Sequence, residues 1–375
     1  MFDAPSQNEP SALARALRLN RRQLFAASTG LAAAAAVAVP ALPASAAPAG
    51  RGGGGSIPRG KRGIILYTVR DAISRDPNAF NGPSGFKEVF EALAKIGYKQ
   101  IEFAGYNQHA NAPGGASLES VEGAKQLRKW LDDNGLRAQG NHGFIPSSWP
   151  FTDADLERFK LHTEIANILG MQHIGTGADP TNSAFKADWD VAAEKWNALG
   201  KIAARAGLKL YTHNHDAAYS FLLDSGPADA AGNPTRSSGI RRLEYFLKIT
   251  DPKFVHLEMD VFWAHVAQYK FREFTAPDGS TRKDLFDPAA TVLTANARFP
   301  LFHAKDGEPD QDVPNGYNIV PFGTGQIDYE KFFRRVGRTD SRNPMVEQDT
   351  APGGTTAPAQ SLQHARIGYQ HLASL

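Results

Sequence analysis

Short apolar runs alternate eight times with longer amphipathic segments along this chain. A continuous apolar run predicts a strand buried on both faces, and such strands form parallel sheets with helical crossovers. Glycine directly follows several amphipathic segments, for example at Gly97, Gly135 and Gly170, where a helix would end. We expect strands at residues 63–69, 99–103, 137–141, 172–175, 209–213, 254–260, 300–305 and 344–348.

Eight such units predict a closed (β/α)8 TIM barrel, an α/β fold in a single domain. A doubly wound open sheet is the alternative, but it ordinarily carries a glycine-rich phosphate-binding loop after a strand. No such motif follows a predicted strand, and Gly323-Thr-Gly325 lacks the rest of it. We expect the helices at residues 85–96, 118–133, 153–169, 189–206, 239–249, 288–297, 329–336 and 359–373.

The N-terminal residues predict an export signal that is not part of the fold. Arg21-Arg22 precedes an uncharged, alanine-rich run at residues 26–39, and Ala44-Ser45-Ala46 follows. This order is typical of a Tat-type signal peptide, which would occupy residues 1–46. A membrane anchor is the alternative, but the run is shorter than the roughly 20 residues that a spanning helix needs.

Composition restricts the location and the partners of the protein. The glycine-rich residues 47–62 predict a flexible leader, the barrel is expected over residues 63–375, and export implies a periplasmic or extracellular location. The chain has no cysteine, which excludes disulfides, thiolate ligands and a cysteine nucleophile. Its net charge is +2 and no basic block follows the leader, so we expect no nucleic-acid partner. No later apolar run is long enough to cross a membrane, so we expect no association with a membrane after signal cleavage.

Four predicted strands change at their carboxyl ends from apolar residues to imidazole or carboxylate residues. Asp260, His303 and Glu347 end the sixth, seventh and eighth strands, and the carboxyl ends of barrel strands share one mouth. Each residue alone is more often structural, but together they suit one divalent ion: Mn²⁺, Mg²⁺, Zn²⁺, Co²⁺ or Fe²⁺. The fifth strand offers a fourth ligand from His213 or His215, which lie two residues apart and therefore face the same way.

Five segments in the second half of the chain form a series of motifs. They are Tyr211-Thr-His-Asn-His-Asp216, Leu257-Glu-Met-Asp-Val-Phe-Trp263, Phe302-His-Ala-Lys-Asp306, Gly323-Thr-Gly-Gln-Ile-Asp328 and Val346-Glu-Gln-Asp349. In these segments and their order, the chain resembles the sugar phosphate isomerase/epimerase family of xylose isomerase-like TIM barrels, in its His-Asn-His subgroup. Barrels of this family often associate, so the resemblance leaves a homo-oligomer open.

The resemblance implies a set of metal ligands. The family typically holds its metal with Glu, Asp, His and Glu from strands five to eight. The matching positions here are His213, Asp260, His303 and Glu347. His213 stands where many members have Glu, so one of the two glutamates that family epimerases use for proton transfer is absent.

The implied chemistry is proton abstraction next to a carbonyl, with a metal-stabilised enediolate. Glu347 is the leading base, because its carboxylate could touch both metal and substrate. Lys305 has a structural alternative, an ion pair with Asp306 or Glu347, and Glu102 has another, a salt bridge or hydrogen bond inside the barrel. The further catalytic candidates are His213, His142 and Lys305, and the candidate substrate-binding residues are Glu102, His215, Trp263 and Tyr106.

These observations predict an exported, metal-dependent sugar isomerase or epimerase. Phosphorylated sugars are scarce outside the cytoplasm, so we expect a neutral sugar, keto-sugar or glycoside. A keto-glycoside lyase or dehydratase is the main alternative, since the same first step followed by loss of a leaving group needs only one base. A carbohydrate-binding barrel without catalysis is another alternative. A hydrolase of the endonuclease IV type is disfavoured, since it needs more metal ligands and a basic surface facing DNA.

Overall fold

The computed structural model describes residues 57–337 and 343–375. The predicted signal peptide and residues 47–56 of the predicted leader lie outside the described residues. Ile57 is 1% exposed within the main core, and Lys61 Nζ donates to Asn343 Oδ1 at 3.1 Å. Ile57 and Lys61, both in the predicted leader, therefore contact the barrel domain. The glycine-rich composition of residues 47–62 gave no indication that Ile57 is buried.

Eight parallel strands form a nearly closed barrel, which confirms the predicted fold class. The strands are β1 (Gly63–Ile65), β2 (Gln100–Phe103), β3 (Arg137–Asn141), β4 (His173–Thr176), β5 (Lys209–Thr212), β6 (Val255–Asp260), β7 (Leu301–Ala304) and β8 (Asn343–Val346). Their hydrogen-bonded order is β3-β2-β1-β8-β7-β6-β5-β4, and a parallel bridge between His142 and Gly175 joins the two ends of this order.

Helices follow the strands, and each predicted helix is present with its ends shifted by a few residues at most. The helices are α1 (Arg70–Ile73), α2 (Gly85–Ile96), α3 (Val121–Asp133), α4 (Asp153–Leu169), α5 (Lys186–Arg205), α6 (Arg242–Ile249), α7 (Val261–Lys270), α8 (Pro288–Thr294), α9 (Tyr329–Val336) and α10 (Gln360–Ser374). A capping box begins α4, where Thr152 Oγ1 accepts from the backbone N–H of Asp155, and Gly170 caps its carboxyl end with φ 72°.

Three features of the mouth of the barrel were not predicted. The first strand ends at Ile65 and continues as the 3-10 turn Leu66–Val69. Helix α7 starts directly after β6, with the Asp260 carboxylate accepting from the backbone N–H of Trp263. The loops after β5, α7 and β7 contain two-stranded hairpins, formed by Ser225–Ala228 with Pro234–Arg236, Glu273–Thr275 with Thr281–Lys283, and Asp306–Pro309 with Tyr317–Val320.

The alternation of side chains along β6 explains how the barrel positions its polar residues. Leu257 and Met259 belong to the main hydrophobic core between the strands and the helices. Glu258 and Asp260 point the opposite way, into the barrel, and both are fully buried. The helices of the described chain include none that is both long and apolar enough to span a membrane.

Candidate metal centre and pocket

The four predicted metal ligands lie together at the mouth of the barrel. His213 and Glu347 directly follow β5 and β8, Asp260 ends β6, and His303 lies within β7. One nitrogen or oxygen atom of each lies within 4.8 Å of the others, and all four side chains are buried. We call these four residues the outer set. His303 Nδ1 lies 2.7 Å from Glu347 Oε2, and His213 Nε2 lies 3.7 Å from Asp260 Oδ2.

Lys305 is an internal cation of this site. Its Nζ lies 2.9 Å from Asp260 Oδ2, 2.7 Å from Glu347 Oε2 and 3.2 Å from Asp349 Oδ2. Burial would lower the pKa of Lys305, but the carboxylates of Asp260 and Glu347 outweigh it and hold the pKa well above its usual value. The ion pair between Lys305 and Glu347, which was the structural alternative for Lys305, is therefore present. Asp306 accepts backbone N–H groups instead, including those of Gly323 and Gly325.

Glu258 is the principal site residue that the sequence reasoning missed. Its Oε2 lies 2.8 Å from His142 Nε2, 3.1 Å from His303 Nε2 and 3.3 Å from His213 Nδ1. These four residues also offer ligand atoms within 4.8 Å of one another, and we call them the inner set. The signal was available, because Glu258 lies two residues before Asp260 on a strand and therefore faces the same way.

Glu102 lies deeper in the barrel than a substrate-binding residue would. It is fully buried, its Oε2 lies 2.8 Å from His303 Nε2, and its Oε1 accepts from the Tyr211 hydroxyl. Burial and the neighbouring Glu258 raise the pKa of Glu102, against the opposing effect of His142 and His303. The structure therefore favours its alternative role, a hydrogen-bonded residue of the barrel interior.

Glu347 and His303 both carry a charge in the site. Burial would raise the pKa of Glu347, but Lys305 and His303 hold it well below its usual value, so this carboxylate is ionised. Burial would lower the pKa of His303, but Glu258 and Glu347 outweigh it and hold that pKa well above its usual value, so this imidazole is a cation among the buried carboxylates.

One carboxylate oxygen, Glu258 Oε1, is buried without a hydrogen-bond donor among the described residues. Oxygen atoms of this kind and imidazole nitrogens together suit a divalent ion. The residues present therefore fit the ion that the sequence predicted.

A cavity of about 390 Å³ opens at the carboxyl ends of the strands, next to both sets. Its size suits a small ligand. His213 lies within the outer set, whereas His215 stands on the cavity wall with Nδ1 3.1 Å from Asp179 Oδ2. Residues that line the cavity are Tyr67, Ala104, His142, Gly177, His213, His215, Lys305, Glu347 and Asp349.

Like Glu102, two further predicted substrate-binding residues do not line this cavity. Tyr106 is 1% exposed and packs against Phe103 and His162, so it belongs to the core. Trp263 is mostly buried, and Lys305 Nζ lies 5.5 Å from the centre of its ring, so it contacts the site through Lys305. A position just after a strand end predicted the region correctly for both residues but did not determine which way the side chain turns.

Comparison with known proteins defines the class of protein. A family model described as xylose isomerase-like TIM barrel matches residues 90–366, so the chain belongs to that family. This confirms the family resemblance stated from the sequence motifs. Members of the family often bind a metal, and this chain carries a cluster of His, Asp and Glu that could bind one.

Individual relatives include enzymes with isomerase, epimerase and dehydratase names. An inosose dehydratase from Bacillus velezensis is 26% identical over 193 residues, which are 50% of this chain and 54% of that protein, so the chain spans about half of this curated relative. A sugar phosphate isomerase/epimerase structure from Parabacteroides distasonis has a TM-score of 0.58 at 23% identity, covering 83% of this chain and 94% of the other. A xylose isomerase domain-containing protein from Salmonella typhimurium has a TM-score of 0.52 at 11% identity, covering 85% and 99%. These structures share the fold.

Proposed function

We propose that this protein is an exported, metal-dependent isomerase or epimerase that removes a proton next to the carbonyl of a small carbohydrate. The observation that carries the proposal is the pair formed by Glu347 and Lys305. Their charged atoms lie 2.7 Å apart on the wall of the cavity, beside the buried imidazoles and carboxylates. The family includes isomerases and epimerases, which supports the same reaction class.

The outer set, His213, Asp260, His303 and Glu347, supplies the residues that would hold a divalent ion in the manner of the family resemblance. When bound, such an ion supplies polarisation of a substrate carbonyl. The predicted export fits this proposal, because the Tat route carries proteins that fold before they cross the membrane.

Glu347 is the base in this proposal. Its lowered pKa keeps it ionised near neutral pH, and it faces the cavity where a substrate carbon would lie. The Lys305 ammonium is placed to donate a hydrogen bond to substrate oxygen as negative charge develops there. His142 also lines the cavity and is the candidate for a second proton-transfer group on another face of the substrate.

The cavity walls favour an uncharged substrate. Glu347 and Asp349 contribute carboxylates, and Lys305 is already paired with both of them. The phosphate of a sugar phosphate would lie close to these carboxylates. Among the lining residues, only the imidazoles of His142, His213 and His215 would remain to pair with it. A neutral sugar, keto-sugar or glycoside avoids this repulsion, and Tyr67 offers it a partly exposed aromatic ring.

A lyase or dehydratase is the second candidate, and one relative specifically favours it. The inosose dehydratase that matches half of this chain is named for the loss of water. Elimination starts with the same proton removal by Glu347, and the Lys305 ammonium could then protonate a departing oxygen. A site with one glutamate base suits this sequence of steps at least as well as epimerisation.

Incubation of the purified chain in deuterated water, with a divalent metal and either free ketoses or 3-keto-glycosides, tests these candidates. Deuterium incorporation without release of the aglycone supports an isomerase or epimerase, and release of the aglycone supports a lyase. Tight sugar binding with no exchange would identify a carbohydrate-binding barrel and contradict both enzymatic proposals. Glu347→Gln serves as the catalytic control, and Glu122→Gln, on the exposed first turn of α3, serves as the matched control.

A further inference from the structure

A second cavity opens on the same face of the barrel as the first cavity, which Glu347 and Lys305 line. Its volume is about 450 Å³, and the segments that follow β1, β2 and β8 form its walls. We call it the side cavity. The proposed chemistry does not use it, so its position and lining have to be explained separately.

The same two chain segments contribute to both cavities. After β1, Tyr67 lines the first cavity and Asp71 lines the side cavity, and four residues of 3-10 or α-helix span roughly 6–8 Å. After β8, Asp349 lines the first cavity and Gly354 lines the side cavity. The two cavities are therefore neighbours at the mouth of the barrel.

Arg70 joins these two segments where one cavity gives way to the other. Its Nη1 donates to the carbonyl oxygen of Tyr67 and its Nη2 to the carbonyl oxygen of Asp349, both at 2.7 Å. The guanidinium carbon lies 3.9 Å from the centre of the Tyr67 ring, which is still 40% exposed. An exposed aromatic ring thus stands between the cavities, held by hydrogen bonds on both sides.

The charged side chains of the side cavity are already paired. Arg75 Nη2 lies 3.4 Å from Asp71 Oδ2. Asp76 Oδ1 accepts from the backbone N–H of Asn78 and from the side-chain amide of Asn111, both at 3.0 Å. Groups that are neutralised within the wall attract a further charge only weakly, so the side cavity suits an uncharged ligand.

The remaining wall of the side cavity is apolar. Phe80 lies with its ring centre 4.6 Å from the Arg75 guanidinium carbon, and Ala79 and Pro358 also line the cavity. A flat apolar group placed there would remove these surfaces from water. The first cavity, by contrast, is lined by carboxylates, imidazoles and an ammonium group. The two cavities together match a molecule with one polar part and one apolar part.

We propose that the side cavity binds the aromatic aglycone of a glycoside whose sugar lies in the first cavity. The inference rests on the proposed function for the place of the sugar, and it narrows the substrate class from sugars in general to aryl glycosides. The glycosidic bond would then lie near Tyr67, between the two cavities. Such a substrate fits either reaction, because an isomerase would retain the aglycone and a lyase would release it.

Calorimetric titration of the full, metal-loaded chain with methyl and phenyl glucosides, each in both anomeric forms, tests the inference. These glucosides lack the carbonyl that proton removal needs, so they are not turned over. In at least one anomeric series, the phenyl glucoside should bind at least about 10-fold more tightly than the methyl glucoside. Equal affinities in both series, or no binding of any of the four compounds, would overturn the inference.

The titration separates this inference from the proposed function. A preference for the phenyl glucoside without deuterium exchange into any 3-keto-glycoside would remove only the proposed function. Exchange without such a preference would remove only the inference about the side cavity.

A substitution that fills the side cavity gives a second test. Ala79 is exposed and lines the side cavity, and Ala79→Trp should reduce the preference for the phenyl glucoside to within about 3-fold. Ala187→Trp is the matched control, because Ala187 is an exposed alanine of α5 that lines neither cavity, and it should retain the preference. A preference that persists in Ala79→Trp would place the phenyl group elsewhere and contradict the inference. Circular dichroism on both variants checks that the barrel is folded.

Discussion

The Lys305 ammonium lies 2.7 Å from the Glu347 carboxylate in the buried mouth of the barrel. The same nitrogen also reaches Asp260, so one cation partly neutralises two carboxylates that belong to different strands. Removing one partner of a buried ion pair leaves an uncompensated charge, which is costly. Lys305 therefore links the stability of the barrel to the chemistry of its site.

Lys305→Met should lower the free energy of unfolding by about 3–5 kcal/mol at pH 7 in the presence of a chelator, because two buried carboxylates lose their cation. Denaturant unfolding measures the change. Lys270→Met is the matched control, since Lys270 forms an ion pair with Asp216 of the same length, 2.7 Å, but is 40% exposed. There the expected loss is about 0–1 kcal/mol. Equal losses in the two variants would contradict the structural role of Lys305.

Glu347→Gln should reduce the rate of proton exchange by about 10²–10⁴-fold, because the amide cannot accept the proton. In the wild type, the lowered pKa of Glu347 keeps the base ionised, so activity should be lost only as pH falls through that lowered value. Lys305→Met removes one cause of the lowering and should move this acid limb to higher pH. Isotope exchange measured from pH 4 to pH 8 checks both expectations, and an unmoved limb would argue against Glu347 as the base.

The fold could be predicted because each unit of the barrel has a clear pattern of apolar residues. Each apolar run contains a strand, and glycine follows the ends of helices, as at Gly170. Helix α7 was not predicted, because no turn residue separates it from β6. Asp260 is both the last residue of β6 and the N-cap of α7. The hairpins in the loops were also not predicted, because their strands are only three or four residues long.

The candidate site could be predicted only in part, since strand position determines which face a residue is on but not its depth. His213, Asp260, His303 and Glu347 come together because they end neighbouring strands. Glu102 lies on the correct face but is fully buried beneath the histidines. Asp349 and Asp179 were not named as site residues, because their roles depend on distances to Lys305 and His215 that no local pattern encodes. Glu258 could have been named, since it lies two residues before Asp260 on the same strand.

The buried His173 should make the protein less stable in acid. Burial, against a contact of its Nδ1 with the Gln139 carbonyl at 3.1 Å, lowers its pKa to about 4 from the usual 6.5. The unfolded chain therefore binds one more proton than the folded chain between pH 6.5 and pH 4. The contribution of His173 to the free energy of unfolding is fully present above pH 6.5. It decreases as the pH is lowered from 6.5 to 4, by up to about 1.4 kcal/mol per pH unit.

Replacement by a group that does not titrate should remove this part of the slope. Unfolding free energies of wild type and His173→Gln, measured from pH 7 to pH 4.5, give the comparison. Ile174→Val is the matched control, because it alters a buried neighbour on β4 without changing a titratable group. A slope that is the same in His173→Gln and in wild type would show that His173 does not contribute.

Two buried tyrosines differ in whether their hydroxyl groups are hydrogen-bonded. The Tyr211 hydroxyl donates to Glu102, whereas the Tyr106 hydroxyl is buried with no hydrogen-bond partner among the described residues. Tyr211→Phe leaves a buried carboxylate oxygen without its donor and should cost about 1–3 kcal/mol of unfolding free energy. Tyr106→Phe removes an unsatisfied hydroxyl and should be neutral or stabilising. Since both changes delete one oxygen from a fully buried ring, denaturant unfolding of the two variants separates the hydrogen bond from packing, and a Tyr106→Phe loss as large as that of Tyr211→Phe would refute this assignment.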